Sequence, residues 1–300
     1  MMKLNQASNL NMGKVMYSIF IKIILELLFC TAIIMTILGT ASPGTRSGTV
    51  TAYIAFFLAF FVLFMFQFGF MEMLRRLIRQ EFVTLGFLFY GFKKPRLAFS
   101  SATVFATIST IALFIINEIL ALLLRDRFPI LMEFVMAKET PTKLIQEHKD
   151  EILVAASAYL GISSFFLIVI LFLMLPFVFT FMIRAEFPQK NIFKSMFMSA
   201  RLMFRKGNFF KFIALLTRAA IKSVFFAIIA FFMGLLPFVG NSSVLGLLLN
   251  FAFLVNMYTA LIRIYLAIPV MYVGVMDEWN EDKRQEELKP VLLPAPDGEN

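Results

Sequence analysis

The stretch TVTAYIAFFLAFFVLFMFQFGFMEM, residues 49–73, runs straight into Leu74-Arg75-Arg76-Leu77-Ile78-Arg79, and its reading decides the class of this protein. It is longer than the roughly 20 mostly apolar residues that a helix needs to cross a bilayer, and it ends in a cluster of cations. Five further stretches share its character, at about 15–39, 97–124, 152–183, 210–238 and 243–275. Several exceed the thickness of a bilayer, which predicts tilt or continuation into the interface.

The rest of the chain agrees. Of its 300 residues 60% are hydrophobic and only 16% charged, and the mean hydropathy is +0.83. No single core of this size can hide so much apolar surface from water. The same composition excludes disorder, and the single cysteine, Cys30, excludes a disulfide scaffold. The 39 phenylalanines read as lipid-facing bulk.

The net charge of +9 acquires a direction when it is mapped onto the loops. Residues 73–98 carry Arg75, Arg76, Arg79, Lys93, Lys94 and Arg96 against Glu81 alone. Residues 184–211 carry Arg184, Lys190, Lys194, Arg201, Arg205, Lys206 and Lys211 against Glu186 alone. The alternate loops differ: 40–48 holds only Arg46, 125–151 is charge-mixed, and 239–242 is uncharged. The positive-inside rule then predicts an all-α protein of six transmembrane helices over residues 1–276, with both termini in the cytoplasm. Residues 277–300 form an acidic, proline-containing cytoplasmic tail, whose segment 277–288 is expected to extend the last helix. The small-x-small site Gly39-Thr40-Ala41 invites a signal-peptide reading. The run before it is too long and holds Lys22 and Glu26, so an uncleaved first span is expected.

Both basic loops read as amphipathic helices. In 191–207, Phe193, Met196, Phe197, Ala200, Met203 and Phe204 recur at helical spacing, with Lys194, Arg201 and Arg205 on another side. Asn191 is placed to cap this helix and Gly207 to stop it. In 73–98, Leu74, Leu77, Ile78, Phe82 and Leu85 continue a stripe beyond the second span, and the glycine-bracketed run Gly86–Lys94 is expected at the interface. Arg75, Arg76, Arg79, Lys93, Lys94, Lys194, Arg201, Arg205 and Lys206 are therefore the candidate contacts to anionic inner-leaflet lipid or to a protein partner. The same geography argues against nucleic acid as the partner. On the outer side, Thr140-Pro141 predicts a helix start. His148, alone among charged residues, reads as solvated and not as a metal ligand.

Ionisable residues at membrane depth form a second candidate set: Lys22, Glu26, Glu118, Arg218, Lys222 and Arg263. Each costs about 2.5–3.5 kcal/mol at a helix centre on insertion scales, so pairing or snorkelling is favoured over lone burial. The sharper alternative is a polar cluster, with Asn250 and Asn256 nearby. Pro176, Pro237 and Pro269 predict kinks in the last three spans.

No catalytic or metal motif occurs: there is no H-E-x-x-H, G-x-S-x-G or P-loop. A non-enzyme without cofactors is expected. The segments Gly91-Phe92-Lys93-Lys94 and Lys206-Gly207-Asn208-Phe209-Phe210-Lys211 suggest two related hairpins.

The run Ser195-x-x-x-Ser199-Ala200-Arg201-Leu202-Met203-Phe204-Arg205-Lys206-Gly207-Asn208-Phe209-Phe210-Lys211 resembles the S-x-x-L-M-x-G-(N/Y)-x-x-x-L-F pattern of an uncharacterised family of bacterial six-helix integral membrane proteins. Phe89-Tyr90-Gly91-Phe92-Lys93 resembles its F-x-G-F-K element. That family is similar to the membrane domain attached to some glycerophosphodiester phosphodiesterases. The resemblance implies a helical protein of the bacterial plasma (inner) membrane and brings no catalytic residues or phosphodiesterase activity. Two functions are then expected to compete. One is a scaffold or accessory subunit on anionic lipid or a protein partner. The other is a transporter or permease-like subunit, for which a stoichiometric ATPase would be the partner.

Overall fold

In the computed structural model residues 12–39, 46–123, 141–218, 221 and 243–288 are described, and all their regular elements are helical. Helix α1 spans Met12–Leu38 and α2 Arg46–Ile78. A 3-10 segment, Leu85–Phe89, and the one-turn α3, Tyr90–Lys93, lead into α4, Pro95–Leu123. After α5, Pro141–Met174, come a 3-10 turn (Leu175–Phe177), α6 (Thr180–Glu186) and α7 (Ile192–Phe204). A second 3-10 turn, Arg205–Gly207, joins α7 to α8 over 208–218, and α9 runs over Ser243–Leu288.

Among the described residues four stretches are long and apolar enough to cross a membrane: Val15–Ile37, Ser47–Ile78, Pro95–Leu123 and Ser157–Glu186. They coincide with the first four predicted spans. The fifth, 210–238, lies mostly outside the described residues, as do Pro237 and Lys222, and the sixth lies within α9. Helix α5 begins at Pro141, where the Thr140-Pro141 signal places it, and His148 falls in its early turns.

Two of these helices, α1 and α4, bury little of themselves, whereas 44% of the α2 window is buried. In the most apolar windows of α1 and α4 only 11% of residues are buried, and Leu27, Leu122, Phe165 and Ile168 lie exposed. In water such surface would aggregate. In hydrocarbon it is tolerated, because helix association there rests on close packing and not on the hydrophobic effect. Composition and helix surfaces together define a membrane protein.

The chain forms two compact units, and the divisions fall inside helices. One takes 27–64 and 100–175, the other 1–26, 65–99 and 176–300. In the first of these, Ala55, Ala59, Ala102 and Ala106 are buried, small residues four apart that allow backbones to approach. Tyr53 meets Phe114 edge-on at 5.3 Å and accepts a hydrogen bond from the Asn117 amide at 3.3 Å.

The other unit holds the larger side chains. Val15, Ile19, Phe70, Met73, Leu74, Leu88 and Ile262 form its core. The segment after α2 folds back onto α2 itself. Gly91 lies against the Met65 carbonyl, and Gly69 lies against the carbonyls of Phe87 and Leu88, where a Cβ would stand 2.6 Å from the Phe87 oxygen. With the backbones this close, Phe66 packs on Phe89 and Phe92 at 5.6 and 5.2 Å, and Phe68 stacks on Tyr90 at 6.2 Å. The run 86–94 is therefore partly a packed element, with Leu88 and Gly91 buried, while Lys93 and Lys94 stay exposed.

The predicted stripe beyond α2 does not continue as a helix. Gln80 adopts φ 57°, Glu81 N–H donates to the Arg76 carbonyl (2.9 Å) and Gln80 N–H to that of Leu77 (3.1 Å). This left-handed cap ends α2 and leaves Phe82 outside it, 83% exposed. A left-handed non-glycine residue costs about 1–2 kcal/mol. Gln80→Gly is accordingly expected to stabilise the protein by about 1 kcal/mol, read as a raised midpoint in thermal denaturation in detergent.

Pro176 interrupts the fourth stretch, as its position predicts, whereas α9 passes through Pro269 without a break. The backbone groups at the Pro176 break are met from α7. The Ser199 hydroxyl donates to the Pro176 carbonyl at 2.7 Å and accepts from Phe179 N–H at 3.1 Å. A hydroxyl from a neighbouring helix is one of the groups able to satisfy backbone freed at such a break. Ser199 is fully buried, so Ser199→Ala should cost about 1–3 kcal/mol, checked by the same denaturation midpoint.

Candidate functional site

Three polar groupings stand out, all within the unit that holds 65–99 and 176–300. The first is on α1. Lys22, 1% exposed, donates to Glu26 at 2.8 Å and to the Tyr265 hydroxyl at 3.2 Å, and its ammonium lies over the rings of Phe70 and Tyr265 at 5.2 and 4.8 Å. The i,i+4 pair expected from sequence is present, and α9 supplies a third partner. The rest of the predicted intramembrane set is not gathered here. Arg218 and Arg263 are exposed, Glu118 is exposed in the other unit, and Lys222 lies outside the described residues.

The second grouping closes the end of α2. Glu72, 1% exposed, accepts two hydrogen bonds from Arg75 (2.7 and 2.8 Å) and one from Arg76 (2.6 Å). Arg76 also faces Glu81 at 3.5 Å. Arg79 pairs with Glu186 at 2.9 Å, and the Tyr272 hydroxyl of α9 donates to the other Glu186 oxygen at 2.5 Å. Of the candidate contacts to lipid or a partner, Arg75 is only 6% exposed and held by Glu72, while Arg76 and Arg79 pair with carboxylates and stay partly exposed. Glu72, Glu81 and Glu186 match the three arginines in charge. A balanced, hydrogen-bonded network of this kind ties elements together and leaves no charge over for a ligand.

The third grouping is built on α7. Asn191 caps it by accepting from Lys194 N–H at 2.8 Å. The inward side buries Ile192, Ser195, Ser199, Leu202 and Met203. The outward side carries Phe193, Phe197 and Phe204, with Phe197 76% exposed, and Lys194, Arg201 and Arg205 stand beside them. The apolar stripe read from sequence thus divides in two, a buried face and an exposed phenylalanine ridge. Lys206 (φ 50°) and Gly207 (φ 71°) then turn the chain sharply, in contrast to the helical Gly91, so the two proposed hairpins differ at the glycines that suggested them.

At the end of α7, α9 contributes Trp279. Arg205, Arg201 and Lys283 surround its ring at 4.7, 5.4 and 5.5 Å. Asp282 accepts from Lys206 at 2.7 Å and from Arg205 at 2.8 Å, and the Lys206 bond above all holds its carboxyl below the usual carboxylate range. Burial, and then repulsion from Lys283, lowers the pKa of Lys190 nearby. Here cations outnumber carboxylates, the reverse of the balance at Glu72. Trp279 carried no signal on its own in the sequence; only the unbroken α9 brings it to the basic loop. Among the described residues no group of histidine, cysteine or acidic side chains could hold a metal ion.

Comparison with protein-family models, with curated proteins and with solved structures finds no match.

Proposed function

We propose that this chain is a non-enzymatic membrane protein of six spans, with both termini in the cytoplasm of a bacterium, that serves as a scaffold or accessory subunit seated on the anionic inner leaflet. The observation that carries this reading is the outward side of α7. Phe193, Phe197 and Phe204 project beside Lys194 and Arg201 while the opposite side is buried. A helix with exposed aromatics next to cations suits the headgroup layer, where rings enter the acyl boundary and cations meet phosphates. The distribution of basic residues between alternate loops supports the orientation. The motif resemblance to the uncharacterised bacterial family is in keeping with both.

Sidedness tests the topology. In a Cys30→Ala background, Ser47→Cys should react with an impermeant maleimide added to intact spheroplasts, and Gln189→Cys should react only after the membrane is opened. The reverse pattern would refute the orientation. Gentle purification followed by crosslinking tests the role. Anionic lipid without a stoichiometric ATPase is expected; a stoichiometric ATPase would replace this reading with the permease one.

A further inference from the structure

We infer that the cleft over Trp279 is a binding site for a phosphate-bearing anionic headgroup. The cleft has a volume of about 560 Å³ and is lined by Arg201, Phe204, Arg205, Trp279, Asp282 and Lys283. Its volume lies within the range of about 300–1,000 Å³ typical of small-molecule sites and exceeds what a bare phosphate would fill.

Charge identifies the ligand class. Asp282 is already matched by Arg205 and Lys206, so Arg201 and Lys283 face the cleft with no carboxylate partner among the described residues. A phosphomonoester carries roughly −1.5 to −2 at neutral pH, which answers that excess. Guanidinium groups take phosphate oxygens in pairs, and Lys283 adds a point charge. The Trp279 ring fixes the cations around it, and Phe204, exposed at the rim, offers an apolar side to the glycerol and upper chain of a lipid. The neutral network at Glu72 has none of these properties. Such a headgroup reaches the cleft either on a membrane lipid or on a soluble phosphomonoester. The lipid source rests on the proposal that this end of the helices faces the anionic leaflet.

Trp279 is the only tryptophan, so its fluorescence reports the cleft directly. The full chain is titrated in phosphatidylcholine nanodiscs containing increasing phosphatidic acid, and separately with sn-glycerol 3-phosphate and with inorganic phosphate. A saturable change in emission with at least one probe is expected. Arg201→Gln with Lys283→Gln should weaken it roughly tenfold or more, since each charged hydrogen bond is a large part of a small ligand's affinity. Both residues are exposed, so the variant should keep its fold. Arg96→Gln, an exposed cation outside the cleft, should leave the response intact. A response to lipid alone assigns a membrane headgroup. A response to the soluble ester assigns a free phosphate compound and counts against the lipid role of this end while sustaining the site. No response to any probe, or a response unchanged in the double variant, would overturn the inference and leave the seating of α7 on the membrane standing.

Discussion

Glu72→Ala is expected to cost about 3–5 kcal/mol, because it strips the carboxylate from a buried arginine. Arg75 lies almost fully buried and makes both its hydrogen bonds to Glu72; Arg76 makes its shortest one there. The cost comes from the charge left behind and not from the attraction removed. A double variant, Glu72→Leu with Arg75→Leu, should therefore recover most of the loss, since Arg76 keeps Glu81 as a partner. Denaturation midpoints of the single and double variants in detergent decide the matter. A double variant no more stable than Glu72→Ala would show that the network holds the fold in some other way.

Gly91→Ala and Gly69→Ala are expected to destabilise by about 1–3 kcal/mol each, as overpacking does when the atom struck is backbone. Helix propensity alone predicts the opposite sign, a gain of up to about 1 kcal/mol for replacing a helical glycine by alanine. The added methyl meets the Met65 carbonyl in one case and the Phe87 and Leu88 carbonyls in the other, and neither can swing aside as a side chain could. Gly161 in α5 is the internal control, with nothing within 4 Å of an added Cβ. Gly161→Ala should be neutral or stabilising. If all three variants behaved alike, the close approach of the 85–93 segment to α2 would be refuted.

The parts of this architecture that were legible in the sequence depend on local or compositional signals. Long apolar runs announce four of the spans. Asn191 announces the start of α7, and Pro141 that of α5. Lys22 and Glu26 share a helix face, so their pairing follows from spacing. What the sequence hid was pairing between distant segments. Glu72 sits inside an apolar stretch that masks it, although Glu72-x-x-Arg75-Arg76 has the i,i+3 and i,i+4 spacing of a helical ion pair. Glu186 and Tyr272 meet across 86 residues, and Trp279 meets Arg205 across more than 70, so no local pattern marks either. The apolar residues of α7 divide into a buried set and an exposed phenylalanine ridge because α6 and the Pro176 break occupy one side, a contact no local pattern marks. Gly91 and Gly207 look alike as letters, yet one admits a neighbouring backbone and the other turns the chain.

The central claim is that the phenylalanine ridge of α7 rests in lipid at the cytoplasmic face. Bimane attached at Phe197→Cys, in a Cys30→Ala background and reconstituted in vesicles, tests it directly. Quenching by lipids brominated high on the acyl chain and protection from aqueous iodide are the expected result. Quenching by iodide with no effect of the brominated lipids would contradict it.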